Sequence, residues 1–170
     1  LYFPPGNYII TSALSITRSI SILGSNEEST ILAIGCNGFN VSTTSVVAFR
    51  NLTIAQAVRY TTTPNNFVGI YISGTTVNRP YNNVYQNIYI DGFKTGIEAS
   101  WIWSSLFDRV RTGFGQNGII AHELSVNNVV TNSSLNGDNT GYGIFLDGSD
   151  TPSEGWMISD TLTVSNNIGI

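Results

Sequence analysis

Three side chains in this sequence combine the types and the spacing that acid–base chemistry needs: Glu98, His122 and Asp147. A pair of carboxyl groups about 6.5–9.5 Å apart can hydrolyse a glycosidic bond, one protonating the leaving oxygen while the other activates water. An imidazole between them, titrating close to neutrality, can raise or lower a carboxyl pKa or serve as a base itself. Near these residues stand rings that could stack on the apolar faces of sugars, namely Tyr71, Trp101 and Trp103. The competing arrangement is a surface charge ladder in which His122 merely bonds to Asp147. For the two Trp residues it is packing beneath a loop or against another subunit.

Whether these groups meet depends on the elements that carry them, and the sequence repeats. Gly69-Ile70-Tyr71-Ile72, Gly96-Ile97-Glu98-Ala99, Gly118-Ile119-Ile120-Ala121 and Gly143-Ile144-Phe145-Leu146 share one pattern, and Gly169-Ile170 starts another copy. Successive glycines are 27, 22, 25 and 26 residues apart. A second strand signal precedes several of them, in Asn87-Ile88-Tyr89-Ile90, Arg109-Val110-Arg111-Thr112, Asn128-Val129-Val130 and Thr161-Leu162-Thr163-Val164. Irregular spacing of this length is wrong for hairpins, and alternation is wrong for helical repeats. The pattern predicts an all-β fold, a single-stranded, right-handed parallel β-helix whose strands pair with their counterparts one rung away.

In that register Ile70, Ile72, Ile97, Ala99, Ile119, Ala121, Ile144 and Leu146 point inward. The second and fourth positions after each glycine point outward: Tyr71 and Ser73, Glu98 and Ser100, Ile120 and His122, Phe145 and Asp147. At about 4.8 Å per rung, Glu98 and Asp147 stand roughly 10 Å apart between backbones, with His122 between them. Alternation from Ile97 also turns Ile102 inward and leaves Trp101 and Trp103 outward. Turn residues in 133–142, among them Asn136-Gly137 and Thr140-Gly141, predict a loop that leaves the rung outline.

Composition narrows the classes of function. Of 170 residues only 11% are charged, the net charge is −4, and the seven Lys and Arg are scattered, so no basic stripe exists for nucleic acid. No apolar run is long enough to insert in a membrane. The 19 Asn and 17 Gly suit tight corners, and Asn82, Asn83, Asn127, Asn128, Asn166 and Asn167 are candidates for corners and inter-rung amide stacking. Cys36 reads as a small core residue. Asp91 and Asp108 lie outside the outward stripe, as does Glu123, and the two aspartates could pair with Arg109 or Arg111. No cofactor is expected. The one weak metal candidate is a Ca²⁺ set of Asp147, Asp150 and Glu154, which lacks EF-hand spacing.

The opening Leu1-Tyr2-Phe3-Pro4-Pro5-Gly6-Asn7-Tyr8-Ile9-Ile10, with Ser21-Ile22-Leu23-Gly24-Ser25 and Thr30-Ile31-Leu32, resembles the first rungs of the pectate-lyase-like β-helix superfamily. The segments 87–98 and 103–110 are similar to rungs common in its phage-tailspike branch. The resemblance implies a homotrimeric spike, extracellular or on the virion surface, that binds and cleaves bacterial capsule or O-antigen as a glycoside hydrolase or polysaccharide lyase. Two alternatives go with it: a non-catalytic glycan-binding adhesin rod, and a secreted pectinase-like or glucanase-like enzyme. The caps of such helices are missing from the sequence, so a fragment of a longer chain is expected.

Overall fold

Each repeat supplies short strands that cannot bury an apolar face alone, and the chain solves this by coiling them on top of one another. The computed structural model describes residues 1–42, 46–136, 140–148 and 152–164. Its rungs run β1 (Tyr2–Phe3), β2 (Gly6–Ile10), β3 (Leu14–Ile16); β4 (Ile20–Gly24), β5 (Ser29–Ala33), β6 (Phe39–Val41); β7 (Val47–Gln56), β8 (Val68–Ser73); and β9 (Val84–Asp91), β10 (Thr95–Ser100). They continue as β11 (Leu106–Gly113), β12 (Asn117–His122); β13 (Val129–Thr131), β14 (Ser134–Asn136), β15 (Ile144–Asp147); and β16 (Met157–Ser159), β17 (Leu162–Val164). The strands pair in parallel with their counterparts above and below. They form one broad sheet and one six-stranded sheet of order β15-β12-β10-β8-β6-β3. The result is the right-handed parallel β-helix that the repeats predict. No helix among the described residues is long and apolar enough to cross a membrane.

The broad sheet folds along a line where single residues adopt left-handed backbone: Asn51, Asn87, Arg109, Asn132 and Asp160, with φ of 56°, 51°, 53°, 50° and 47°. This conformation costs an ordinary L-residue roughly 1–2 kcal/mol, and Asn tolerates it through local hydrogen bonding. The Asn87 amide also donates to Asn51 Oδ1 at 3.0 Å, tying one rung to the next. Asn87→Val is therefore expected to cost about 1–3 kcal/mol in denaturant unfolding, from backbone strain and the lost bond. Asn87→Gly, which keeps the backbone unstrained, is expected to cost less; equal losses would show that φ is not what the position demands.

A second corner repeats the device at Asn82, Ser104, Asn127 and Gly155, all with positive φ. The next residues turn inward, where Asn83 Oδ1 accepts from Val47 N at 2.8 Å and Asn128 Oδ1 accepts from Ser105 N at 2.9 Å. The four asparagines expected at corners are there, two making the bend and two satisfying buried backbone. Asn166 and Asn167 lie outside the described residues.

Ile97, Ile119 and Ile144 are fully buried register partners on successive rungs. Beside them Phe49, Tyr85 and Phe107 stack with ring centroids 5.7 and 4.8 Å apart. The repeat glycines have a packing cause: a Cβ on Gly118 would stand 2.4 Å from the Gly143 carbonyl oxygen and 2.9 Å from Leu135 Cβ. That contact is the physical source of the repeat signal.

Three expectations change. Of the segment 133–142 predicted as loop, Ser134–Asn136 is strand β14, paired with β11 and β17, and Leu135 is buried in the core. Residues 137–139 lie outside the described residues. Asp91 pairs with Arg59 at 3.0 Å, Arg111 instead covering the Tyr89 ring at 4.9 Å. Cys36 is only half-buried, at the margin of the core, and burial pushes its thiol pKa up.

Asp108 does pair with Arg109, at 3.0 Å. Its carboxylate also accepts from Gln86 at 2.9 Å and Asn132 at 3.1 Å. The Gln86 bond foremost, with those from Asn132 and Arg109, holds its pKa below the ordinary value against the opposing effect of burial. A depressed carboxyl pKa stabilises the fold above the unfolded value near 3.9, and the contribution is lost as pH falls through the folded value. Thermal melts should show the wild type ahead of Asp108→Asn at neutral pH and converging with it in acid below about pH 4. A gap independent of pH would assign the effect to packing.

Candidate active site

The six-stranded sheet presents two outward columns where β8, β10, β12 and β15 stack. One runs Tyr71, Glu98, Ile120, Phe145, and the other Ser73, Ser100, His122, Asp147. The outward stripe read from the repeats is thus in place, with one refinement. His122 and Asp147 are direct register partners, whereas Glu98 pairs with Ile120 and reaches His122 diagonally.

The side chains close that diagonal. His122 Nδ1 lies 3.2 Å from Asp147 Oδ2, and Nε2 lies 3.6 Å from Glu98 Oε1. Glu98, His122 and Asp147 are 28%, 32% and 32% exposed, so the cluster is open to a solute yet held on rigid strands. The strand backbone fixes the imidazole from below, and the His122 carbonyl accepts from Ser125 Oγ at 2.9 Å. The ring thus offers one nitrogen to each carboxyl, and a proton placed on either nitrogen faces an acceptor.

Beside the cluster lies a hollow of about 350 Å³ lined by Lys94, Glu98, Gln116, Asn117, His122 and Tyr142, among others. Its floor comes from the repeat strands β10 and β12, and turns add Asn66, Lys94 and Gln116. Lys94 follows the corner glycine Gly92, and its ammonium donates to Asn66 Oδ1 at 3.2 Å. Gln116 donates to Thr140 Oγ1 at 3.2 Å. Tyr142 stacks on Phe145 with centroids 4.6 Å apart, and its backbone N–H donates to Asn117 Oδ1 at 3.1 Å. Reading the sequence by its repeats missed Asn66, Lys94 and Gln116, whose only signal is their place in turns flanking the strands; Tyr142 ends the 133–142 segment, which its position between the Gly118 and Gly143 rungs makes a candidate groove wall.

The aromatic candidates separate. Tyr71 is a register partner of Glu98 and half-exposed beside it. Trp101 follows Ser100 with φ 58° and is half-exposed at the end of the strand. Trp103 donates its indole N–H to the Leu124 carbonyl at 2.9 Å. The Arg79 guanidinium covers both indoles, 4.6 Å from the Trp103 ring and 5.5 Å from that of Trp101. Ile102 between them is buried as expected, although strict alternation from Ile97 would turn it outward five residues on; the left-handed Trp101, past the end of β10, resets the phase.

Of the candidate Ca²⁺ set, Asp147 faces His122, Glu154 is exposed on a bridge to Val126, and Asp150 lies outside the described residues. Among the described residues no group of three His, Cys, Asp or Glu side chains is placed to hold a metal ion.

No protein-family model matches this chain, and no curated protein sequence matches it. Among solved structures it is similar to the catalytic domain of an α-1,3-glucanase of glycoside hydrolase family 87, determined in complex with tetrasaccharides. The TM-score is 0.66 at 20% sequence identity, over 99% of this chain and 34% of that one. The chain therefore spans about a third of the glucanase's length, and the likeness is one of fold.

Proposed function

We propose that this β-helix binds polysaccharide across the β8–β10–β12–β15 face and cleaves it by glycoside hydrolysis. The observation that carries the reading is His122 held between Glu98 and Asp147 on three successive rungs, at the edge of a polar hollow. A fold shared with a glucanase supports the substrate class. In the proposed reaction Glu98, protonated, gives its proton to the glycosidic oxygen as the bond to the anomeric carbon breaks. Asp147 takes a proton from the water that attacks that carbon, and His122 returns it to Glu98 for the next turnover. The two carboxyls stand two rungs apart, roughly 10 Å between backbones, a separation nearer that of inverting than of retaining pairs. Tyr71 and Trp101 are proposed as sugar contacts, with Trp103 anchoring Arg79 above the indoles.

The finer reading is a bacterial surface glycan, capsule or O-antigen, as substrate of a homotrimeric, tailspike-like depolymerase exposed on a virion. It is supported by the resemblance of the opening segment and by apolar side chains at the surface, of which Phe114 is 49% exposed. Incubation with capsules, O-antigens, α-1,3-glucan and pectins tests the proposal. Release of saturated oligosaccharides is expected. An unsaturated product absorbing in the near ultraviolet would indicate a lyase, and binding without release would indicate an adhesin. Light scattering of the protein in solution tests the trimer, which a monodisperse monomer would contradict.

Tyr142 gives a narrower test of the same face. Its ring walls the hollow from outside the strands, so Tyr142→Ala is expected to weaken glycan binding about tenfold with little change in melting temperature. A large fall in melting temperature would make Tyr142 a packing element instead.

A further inference from the structure

We infer that the cleft extends beyond the cluster into a distal subsite, lined by Tyr60, Asn65, Asn66, Lys94 and Gln116, that holds an additional hydroxyl-rich sugar unit of the same glycan chain. This rests on the function proposed above and adds a site to it.

A second hollow, of about 240 Å³, is lined by Tyr60, Pro64, Asn65, Asn66, Lys94 and Gln116. It shares Asn66, Lys94 and Gln116 with the hollow that contains Glu98 and His122. The two therefore adjoin at these three residues, giving a track from His122 back along the strands, past Lys94, to the segment joining β7 to β8. Its direction is along the rung, so a chain lying in it crosses the solenoid axis.

The chemistry of the lining selects the ligand. Three amides, one ammonium and one phenol ring face the second hollow, and no carboxylate lines it. Amides donate and accept together, which matches neighbouring hydroxyls, and a half-buried tyrosine offers a ring face to a pyranose. Among the described residues the Lys94 ammonium has no carboxylate partner and donates to the neutral Asn66 amide, which leaves it further N–H groups to donate where the two hollows meet. A divalent cation finds no anionic ligand there, and an apolar ligand would leave the amides unpaired.

The walls are also built rather than loose. Tyr60 N–H donates to the Gly92 carbonyl at 2.8 Å, and Lys94 N–H donates to the Phe67 carbonyl at 3.0 Å. Gln116 N–H donates to the Lys94 carbonyl at 2.8 Å, and Asn65 Oδ1 accepts from Phe67 N at 3.0 Å. The segment is thereby fixed against the two rungs it covers, which positions its side chains before any ligand arrives.

The test is an NMR titration of the full chain with disaccharides and hexasaccharides of α-1,3-glucan, capsule and O-antigen, set beside product release from the parent polymers. A hexasaccharide is expected to shift the side-chain amide signals of Asn65, which lines the second hollow and not the first, together with the imidazole of His122, and a disaccharide to shift the imidazole without Asn65. Tyr60→Ala is expected to raise KM for the polymer about tenfold without changing kcat, and to leave the shortest cleaved oligosaccharide unaffected. Cleavage with a silent Asn65 amide and an unchanged KM in Tyr60→Ala would overturn the subsite and leave the hydrolase standing. Shifts in both hollows without product release would keep the subsite and overturn the hydrolase. Silence of both hollows across all ligands would overturn the subsite along with the reading it rests on.

Discussion

Glu98→Gln and Asp147→Asn are each expected to lower depolymerisation at least ~100-fold, the lower range for loss of a general acid or base. Both substitutions keep the size of the side chain and remove only its ability to carry or take a proton. Each residue lies on the outer face of a strand whose inward neighbours are core, so the rod should remain folded. His122 adds a control on mechanism. Its Nδ1 lies 3.2 Å from Asp147 and its Nε2 3.6 Å from Glu98. His122→Gln therefore removes the group between the two carboxyls, and it should flatten or displace the pH profile of kcat besides lowering it, which a purely structural loss would not do. Near wild-type turnover in both carboxyl variants would remove this face from the reaction and move the search to other rungs or to an interface between chains.

The second large effect is on stability. Ile119→Ala is expected to cost about 2–5 kcal/mol, from lost transfer energy and the cavity left behind. Ile119 has no exposed surface and is clamped between Ile97 and Ile144, one rung to either side. The rungs cannot collapse into the gap, because the Gly118 backbone is already pressed against the Gly143 carbonyl. Equilibrium denaturation measures it directly. A loss below about 1 kcal/mol would mean that the stack relaxes, contrary to the close packing expected of a protein interior.

Period and phase of the strands were legible in the residues themselves. A two-residue alternation after a glycine that must lie against the next rung leaves little freedom, so the inward Ile97, Ile119 and Ile144 and the outward Glu98, His122 and Asp147 stand where counting places them. What was hidden lies in the turns. Strand β14 is three residues long and follows a left-handed Asn132, so its signal sat inside a stretch rich in turn residues. Arg59 reaches Asp91 from the excursion between β7 and β8, whose path no repeat dictates. The same excursion supplies Asn66 to the hollow, and another turn lays Arg79 over the two indoles. Contacts made by non-repeating segments depend on three-dimensional closure, and alternation carries no information about them.

His122 is the one histidine of the chain, so its imidazole signals need no assignment by mutation. Recording them by two-dimensional NMR while a cleavable oligosaccharide is titrated into the Glu98→Gln variant tests most directly whether this face is where the glycan is cut. A saturable shift of the imidazole resonances is expected, with a midpoint matching the KM of the wild type for the same oligosaccharide. Binding of that oligosaccharide with the imidazole signals unmoved would place the glycan elsewhere and contradict the proposed site.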